Sequence, residues 1–554
     1  MAHDADIPVA DGRGLLRRAW KYGSLCVVLG VSAWLLLPPT PATDATGETG
    51  AAERDLSKVK YVIKFAPGNQ YMPGSVPFGI GKPLQGLSKV IRAFEQRFPD
   101  TRIEVINVPT VREYLVTQLS SGAAPDILNV NVEDVWVDVQ KGWYVPLDGF
   151  LEAPNPFVVE KNDPNLPGAR QWWDMFRYQA ISRGKAAPDG RNYCITLDMV
   201  ETGIFYNKTL FDRLGLTPPK TWPEFMALMT RIEQQEKNVT PLMMSLSSYS
   251  DWATDLLFDQ LYYSLLGGLD LKKDPAREGY LQGYLDGDEL VFLLRKGFFG
   301  PDDPRYRELW RIMRELKQHT NNDMTNVDLT RDFVTQRSAM IWTASPFTYR
   351  LISDRKLGFE WGVFYPPRLT RETSRYASGT DMCVIGGAAS QIEITCTAVG
   401  DTDTSLPMAQ RMARSERLKR VVSFLQFLCT PKQTELVVNE YPGCLPNIVG
   451  VPVLKPLAPF GKILQRRYTT TKWLFSFDLR FSDIQERMLG LYLAGGASLD
   501  EFLTWQEANL NAAAANLIRR KAPDMAALEA GWKRLAPARA AMTDLPPQAT
   551  EDRP

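Results

Sequence analysis

Between residues 61 and 142 the sequence alternates short apolar runs with amphipathic stripes, and such a chain has few ways to bury both. Tyr61 to Phe65 is a β-rich run that ends in the breaker stretch Ala66-Pro67-Gly68-Asn69. Leu84, Leu87, Ile91, Phe94 and Phe98 then recur at intervals of three and four, the stripe of a helix with one buried face. Ile103, Val105 and Val108 read as the next strand. Thr110-Val111-Arg112-Glu113 has the form of a capping box, and Gly122 ends the helix that it opens. Asp126 to Val130 is a short apolar strand, and Glu133 to Lys141 a helix stopped by Gly142. This β-α-β-α-β order with short loops predicts an α/β fold with a mostly parallel, doubly wound sheet and right-handed crossovers. Ligands of such sheets sit beyond the carboxyl ends of the strands. Asn69, Gln70, Asn131, Glu133 and Asp134 fall there, which makes them candidates for binding.

Composition narrows the function. At 554 residues the chain has room for two to four domains, each with a real core. Lys plus Arg equals Asp plus Glu at 64 each, so no overall field draws nucleic acid or anionic lipid. Only His3 and His319 are present, so paired-histidine zinc motifs are absent and a Ser-His-Asp site could use only His319. There is no P-loop, no G-x-S-x-G and no dinucleotide fingerprint. No metal or organic cofactor is expected. Chemistry by a pair of carboxylates stays open, because it needs only Asp and Glu.

The first forty residues have the pattern of a targeting segment. Arg13, Arg17, Arg18 and Lys21 precede an apolar run from Ser24 to Leu37, broken by Pro38, Pro39 and Pro41. The run is short for a bilayer span, which needs roughly 20 residues, and no A-x-A site follows. A cleaved signal peptide and an uncleaved signal anchor both fit, with residues 40–58 as a flexible linker. Either reading puts the rest of the chain outside the cytoplasm. Of the later cysteines, Cys194, Cys383, Cys396, Cys429 and Cys444, no spacing suggests a metal site, and buried free thiols are expected.

A run of segments resembles the extracellular solute-binding proteins of ABC importers, specifically the maltose-binding-like, sugar-directed group. These are Phe94-Glu95-Gln96-Arg97-Phe98-Pro99, then Ser121-Gly122-Ala123-Ala124-Pro125-Asp126-Ile127, then Tyr144-Val145-Pro146-Leu147-Asp148. Ile204-Phe205-Tyr206-Asn207-Lys208 follows, and then the most specific match, Leu214-Gly215-Leu216-Thr217-Pro218-Pro219-Lys220-Thr221-Trp222-Pro223-Glu224-Phe225. Later segments keep the family's order: Phe333 to Met340, Gly362 to Pro366, Ser378 to Gly387, and Lys419 to Leu428 with Thr430-Pro431. Thr221-x-x-Glu224 and Ser498-x-x-Glu501 are further capping boxes. Two departures stand out. Where the family has Gly-x-Trp this chain has Ser345-Pro346-Phe347, with Trp342 earlier, and residues 388–417 look like an insertion.

The resemblance implies a two-lobed, periplasmic-binding-protein-like fold, each lobe a mostly parallel sheet flanked by helices, with a ligand cleft between them. The first lobe is expected over 59–200 and 375–452, the second over 201–374 and 453–522, and a C-terminal tail over 523–554. The implied function is capture of a mono- or oligosaccharide by hinge closure and delivery to the permease subunits of an importer, as a monomer tied to the membrane only through its N-terminal segment. Further candidates follow from position. Tyr249, Asp251 and Trp252 come after the apolar strand Leu242 to Leu246, with Trp252 as a stacking plane and Asp251 as either a contact or a helix cap. Phe347 stands at the family's platform position, Asp381 near a strand start, and Trp473 at a later aromatic contact. Two other classes remain open: a two-carboxylate carbohydrate-active enzyme, and an anchored sensor or scaffold on the same fold.

Overall fold

The computed structural model describes residues 56–109, 112–131, 135, 138–177, 187, 189–272, 285–382, 384–401, 403, 405–461 and 479–542. In chain order the strands are β1 (Tyr61–Ala66), β2 (Thr101–Val105), β3 (Ile127–Asn129), β4 (Cys194–Ile195), β5 (Asp198–Asn207), β6 (Thr240–Met243), β7 (Ser338–Ala344), β8 (Trp361–Phe364), β9 (Val384–Gly387), β10 (Ile392–Ile394) and β11 (Leu445–Pro446). They form two sheets, ordered β2-β1-β3-β10-β4 and β11-β5-β7-β6, with β8 and β9 also paired to β5.

The first sheet begins as its sequence pattern requires. β1 pairs in parallel with β2 and with β3, and the helix Gly86–Arg97 connects the first two strands. Its Leu87, Val90, Ile91 and Phe94 are buried, and Phe94 meets Phe424 and Phe427 of the helix Glu416–Leu428. The Pro125-Asp126-Ile127 segment has a specific job. Asp126 is buried, accepts from Lys64 N (2.8 Å), and pairs with both terminal nitrogens of Arg417, Nη2 lying 2.9 Å from Oδ2. Arg417 also donates to Val62 O (2.7 Å). One carboxylate thus holds two strands to a helix some 290 residues later, in the bidentate geometry that suits guanidinium.

The second sheet is built around β5, which is antiparallel to β7, β8, β9 and β11, while β6 and β7 run parallel. The capping box predicted at Thr221 is formed: Glu224 accepts from Lys220 N (2.8 Å) and Thr221 N (3.4 Å), and Pro223 stands in the first turn. Trp222, Phe225, Met229 and Ile232 then face the core at three- and four-residue spacing. The box at Ser498 opens the helix Leu499–Lys521. Cys194, Cys429 and Cys444 are buried free thiols and Cys396 is half-buried. Among the described residues no helix is long and apolar enough to cross a membrane; the N-terminal segment lies outside them.

Two expectations are corrected: the second sheet, expected to be mostly parallel, is mostly antiparallel because β5 runs against β7, β8, β9 and β11, and the return to the first sheet is displaced. Residues 388–417, which look like an insertion relative to the family, contribute β10, the strand that joins β3 to β4. The passage back to the first sheet falls after β9, which pairs with β5, and not near 375. The expected C-terminal tail is helical over much of its described part, which ends at Met542. Helices Met525–Arg534 and Ala536–Ala540 dock on the second lobe, where Arg534 donates to Leu271 O (2.8 Å) and Arg539 to Gly268 O (3.2 Å). The Trp532 ring packs against Phe292 and Phe298, with the Arg539 guanidinium 3.3 Å from its centroid. Alanine and proline richness hid this, since the anchors are a few large side chains among small ones.

The chain crosses between the sheets at Thr196–Leu197, at Ala388–Gln391 and between β10 and β11, and polar groups stitch the crossings together. Asn447 donates its amide to Thr196 Oγ1 (2.8 Å) and its N–H to Leu197 O (2.8 Å). Ser390 Oγ accepts from Leu197 N (2.8 Å). Asp198, wholly buried at the head of β5, accepts from Ala389 N (2.7 Å), Ser390 N (3.2 Å) and the Tyr71 hydroxyl.

Two measurements follow. Trp532→Ala should lower the free energy of unfolding by about 3 kcal/mol in urea titrations; a change within ~0.5 kcal/mol would mean that the C-terminal helices rest on the surface only. Burial raises the Asp198 carboxyl above its ordinary range, although its hydrogen bonds pull it back in part. The native state therefore keeps a proton that the unfolded chain loses near pH 4, and stability falls as pH rises from there through the folded value. Asp198→Asn, which keeps an acceptor for the two N–H groups, should flatten that part of the pH profile. An unchanged slope would mean that the carboxyl is not the titrating group.

Candidate functional site

The carboxyl ends of β1 and β3 open onto a small recess lined in part by Gly68, Asn69, Met72, Asn107, Leu128 and Asn129. Its floor depends on a glycine. Gly68 has φ +80, and a Cβ there would stand 2.6 Å from Asn129 Nδ2, so only glycine lets the amide lie against the chain. Asn129 Oδ1 in turn accepts from Gln391 N (2.7 Å), which fixes the amide from the side of the second crossing. Asn69 is exposed at the start of a short 3₁₀ turn, Gln70 is half-buried behind it, and Asn131 is exposed just past β3. These three stand where strand-end reasoning places them. Asn107 and Asn129 were missed, although their positions at the ends of β2 and β3 were open to the same argument. Glu133 and Asp134 lie outside the described residues.

In the second lobe the corresponding wall follows β6. Residues Ser248–Ala253 form a π-helical turn that leads into the helix Thr254–Tyr262 and packs on β9. Such turns carry one residue more than an α-turn and recur at functional sites. Asp251 and Trp252 are half-buried in it. Asp251 is inside the turn, and the N-cap positions of the turn and of the following helix are Ser247 and Ala253. Trp252 leans on the core, with part of its ring left accessible.

Two candidates belong to the interior. Tyr249 is fully buried, its hydroxyl is 2.6 Å from Thr320 Oγ1, and burial raises its phenol well above the ordinary value. Phe347 packs its ring against Phe205 (5.2 Å between centroids) and Phe333 (6.0 Å). Neither presents a face to a ligand. Trp342 is also core, with its indole N–H on Thr202 Oγ1 (3.0 Å). Asp381 is exposed ahead of β9 and lies 3.4 Å from Arg368 Nη1, a geometry in which each partner is still open to solvent. Trp473 lies outside the described residues. The candidates with accessible surface, Asn69, Gln70, Asn131, Asp251, Trp252 and Asp381, are on segments that adjoin strands of the two sheets.

Three comparisons bear on this arrangement. The profile of the bacterial extracellular solute-binding protein family matches residues 81–370, just over half of the chain. A multiple sugar-binding protein of Streptococcus mutans is 25% identical over 163 residues, 29% of this chain and 33% of that protein, so the match spans only a third of the relative's length. Among solved structures, a chitin oligosaccharide binding protein superposes with a TM-score of 0.55 at 16% identity, covering 82% of this chain and 98% of the other. A cyclic alpha-maltosyl-1,6-maltose binding protein from Arthrobacter globiformis gives 0.52 at 17% identity, with the same coverage. These likenesses establish the two-lobed fold.

Proposed function

The chain belongs to the bacterial extracellular solute-binding proteins, and from that premise we propose that it captures a mono- or oligosaccharide between its lobes outside the cytoplasm and passes it to the permease of an ABC importer. What supports the reading is that each lobe carries accessible polar or aromatic candidates next to its strands, amides in the first and a partly exposed indole in the second, with three crossings joining the sheets. A sugar has apolar C–H faces and hydroxyl edges, so a ring plane and a few well-placed amides and carboxylates suit it. In this reading Asn69, Gln70 and Asn131 hold hydroxyls from the first lobe, while Trp252 stacks and Asp251 and Asp381 accept hydroxyls from the second. The working units are the two sheets with their helices, and the protein acts as a monomer. The names of the similar proteins, which bind chito-oligosaccharides, maltosyl sugars and multiple sugars, support the ligand class.

Closure by ligand requires contacts that exist only when both walls are engaged. Calorimetry against a panel of mono- and oligosaccharides tests the proposal, with chromatography of the recovered sugar to detect any cleavage. Tight binding with the sugar returned intact is expected; hydrolysed sugar would move the protein to the carbohydrate-active enzymes. Trp252→Ala should weaken binding by about 1–3 kcal/mol with little change in the unliganded melting temperature. Tyr249→Phe should do the reverse, losing about 1 kcal/mol of stability and no affinity. If both variants lose only stability, the π-turn is packing and not a binding wall.

A further inference from the structure

The segment between β1 and the helix Gly86–Arg97 is longer than a connection of this kind needs, and the extra residues are folded. Gly74 N donates to Leu84 O and Leu84 N to Ser75 O, both at 2.8 Å, so residues 75–84 leave and rejoin the chain at one point, as an Ω-loop does. Its tip is shaped by three left-handed residues, Phe78 (φ +53), Gly79 (φ +68) and Gly81 (φ +95). That conformation is uncommon for a bulky side chain such as Phe78. Phe78 is 56% exposed, far more than a residue folded inward for packing.

The tip reaches the other lobe. Tyr349 is on the short helix Phe347–Ser353, whose Phe347 and Leu351 are buried in the core on β5 and β7. Its hydroxyl donates to Ile80 O of the loop (2.8 Å), and its ring lies 6.3 Å from that of Phe78. The fit at Gly81 is close: a Cβ there would stand 2.2 Å from Tyr349 Oη. On its other side the Tyr349 ring meets Tyr441 edge-on at 5.2 Å. Tyr441 follows the helix Pro431–Val438, which packs in the first lobe. The adjacent Glu440 accepts from Gln85 N (2.7 Å) and Gly86 N (2.8 Å), fastening the end of the loop to the base of Tyr441. Loop and tyrosine are thus one preformed clasp of the first lobe, with Tyr349 of the second lobe held inside it.

The geometry points to a latch: residues 74–84 with Tyr441 grip Tyr349 and hold the lobes together at one end of the cleft, so that the strength of this grip sets how readily the protein opens. The inference rests on the two-lobe cleft and not on which solute fills it. A latch on the closed form raises the fraction of molecules ready to hold ligand, and apparent affinity scales with that fraction. One neutral hydrogen bond changes such a ratio roughly two- to tenfold.

Hydrogen–deuterium exchange on the full chain without ligand tests it. Tyr349→Phe should speed exchange roughly two- to tenfold in peptides covering 74–84, and also in Ser248–Ala253, which is on the far wall and touches neither the loop nor Tyr349 in sequence. Gly81→Ala should do the same by displacing the hydroxyl. Faster exchange confined to 74–84 would overturn the latch and leave a locally pinned loop, as would no change in any peptide. Failure to bind any sugar would leave these outcomes intact, so the latch and the ligand class are judged separately.

Discussion

A carboxylate out of reach of water has to be given donors by the protein, and at Asp198 those donors come from segments that lead to both sheets. The Tyr71 hydroxyl arrives from the loop after β1, and the N–H groups of Ala389 and Ser390 from the crossing before β10. Asp198 itself is the first residue of β5, the strand that the second sheet is assembled on. Truncating one partner of such a group leaves the rest buried and unsatisfied, which costs more than the bond contributes. The arrangement therefore ties the loop after β1 and the crossing before β10 to the head of β5.

Much of the framework was legible, because the relevant signals are local. The helix stripe at Leu87, Ile91 and Phe94, the stop at Gly122 and the capping boxes at Thr221 and Ser498 each depend on residues within four positions of one another, and each is formed. The partners across the fold were not legible. Nothing near Asp126 in sequence announces Arg417, and nothing near β3 announces that β10 completes its sheet. For the same reason a stretch holding an essential strand read as an insertion.

Site residues divided along a similar line. Asn69, Gln70 and Asn131 follow from the rule that strand ends face the ligand, which needs only strand positions. The choice between Phe347 and its neighbours needed the rotation of a short helix. Two residues on a helix are about 200° apart, so when Phe347 turns into the core Tyr349 turns out of it. Matching the family's aromatic by position alone selected the inward ring. Tyr249 and Trp252 show the same effect in a π-turn, whose wider spacing shifts which side chains leave the core. The sequence carries no marker for that wider turn.

The interleaving of the lobes also dictates an order of assembly. Val130 and Glu393 are hydrogen-bonded neighbours 263 residues apart, whereas β5 to β9 all come from the stretch between them. As the chain emerges from the ribosome, the second sheet has all but β11 before the first has the strand that bridges β3 and β4. β1, β2 and β3 must wait with one flank of their sheet unpaired through the synthesis of everything in between. Pairings of such high sequence separation are slow to form and expose strand edges meanwhile. The first sheet is thus begun first yet completed only after most of the second has been made, and the second lobe in turn is closed by β11 and the helices after residue 479.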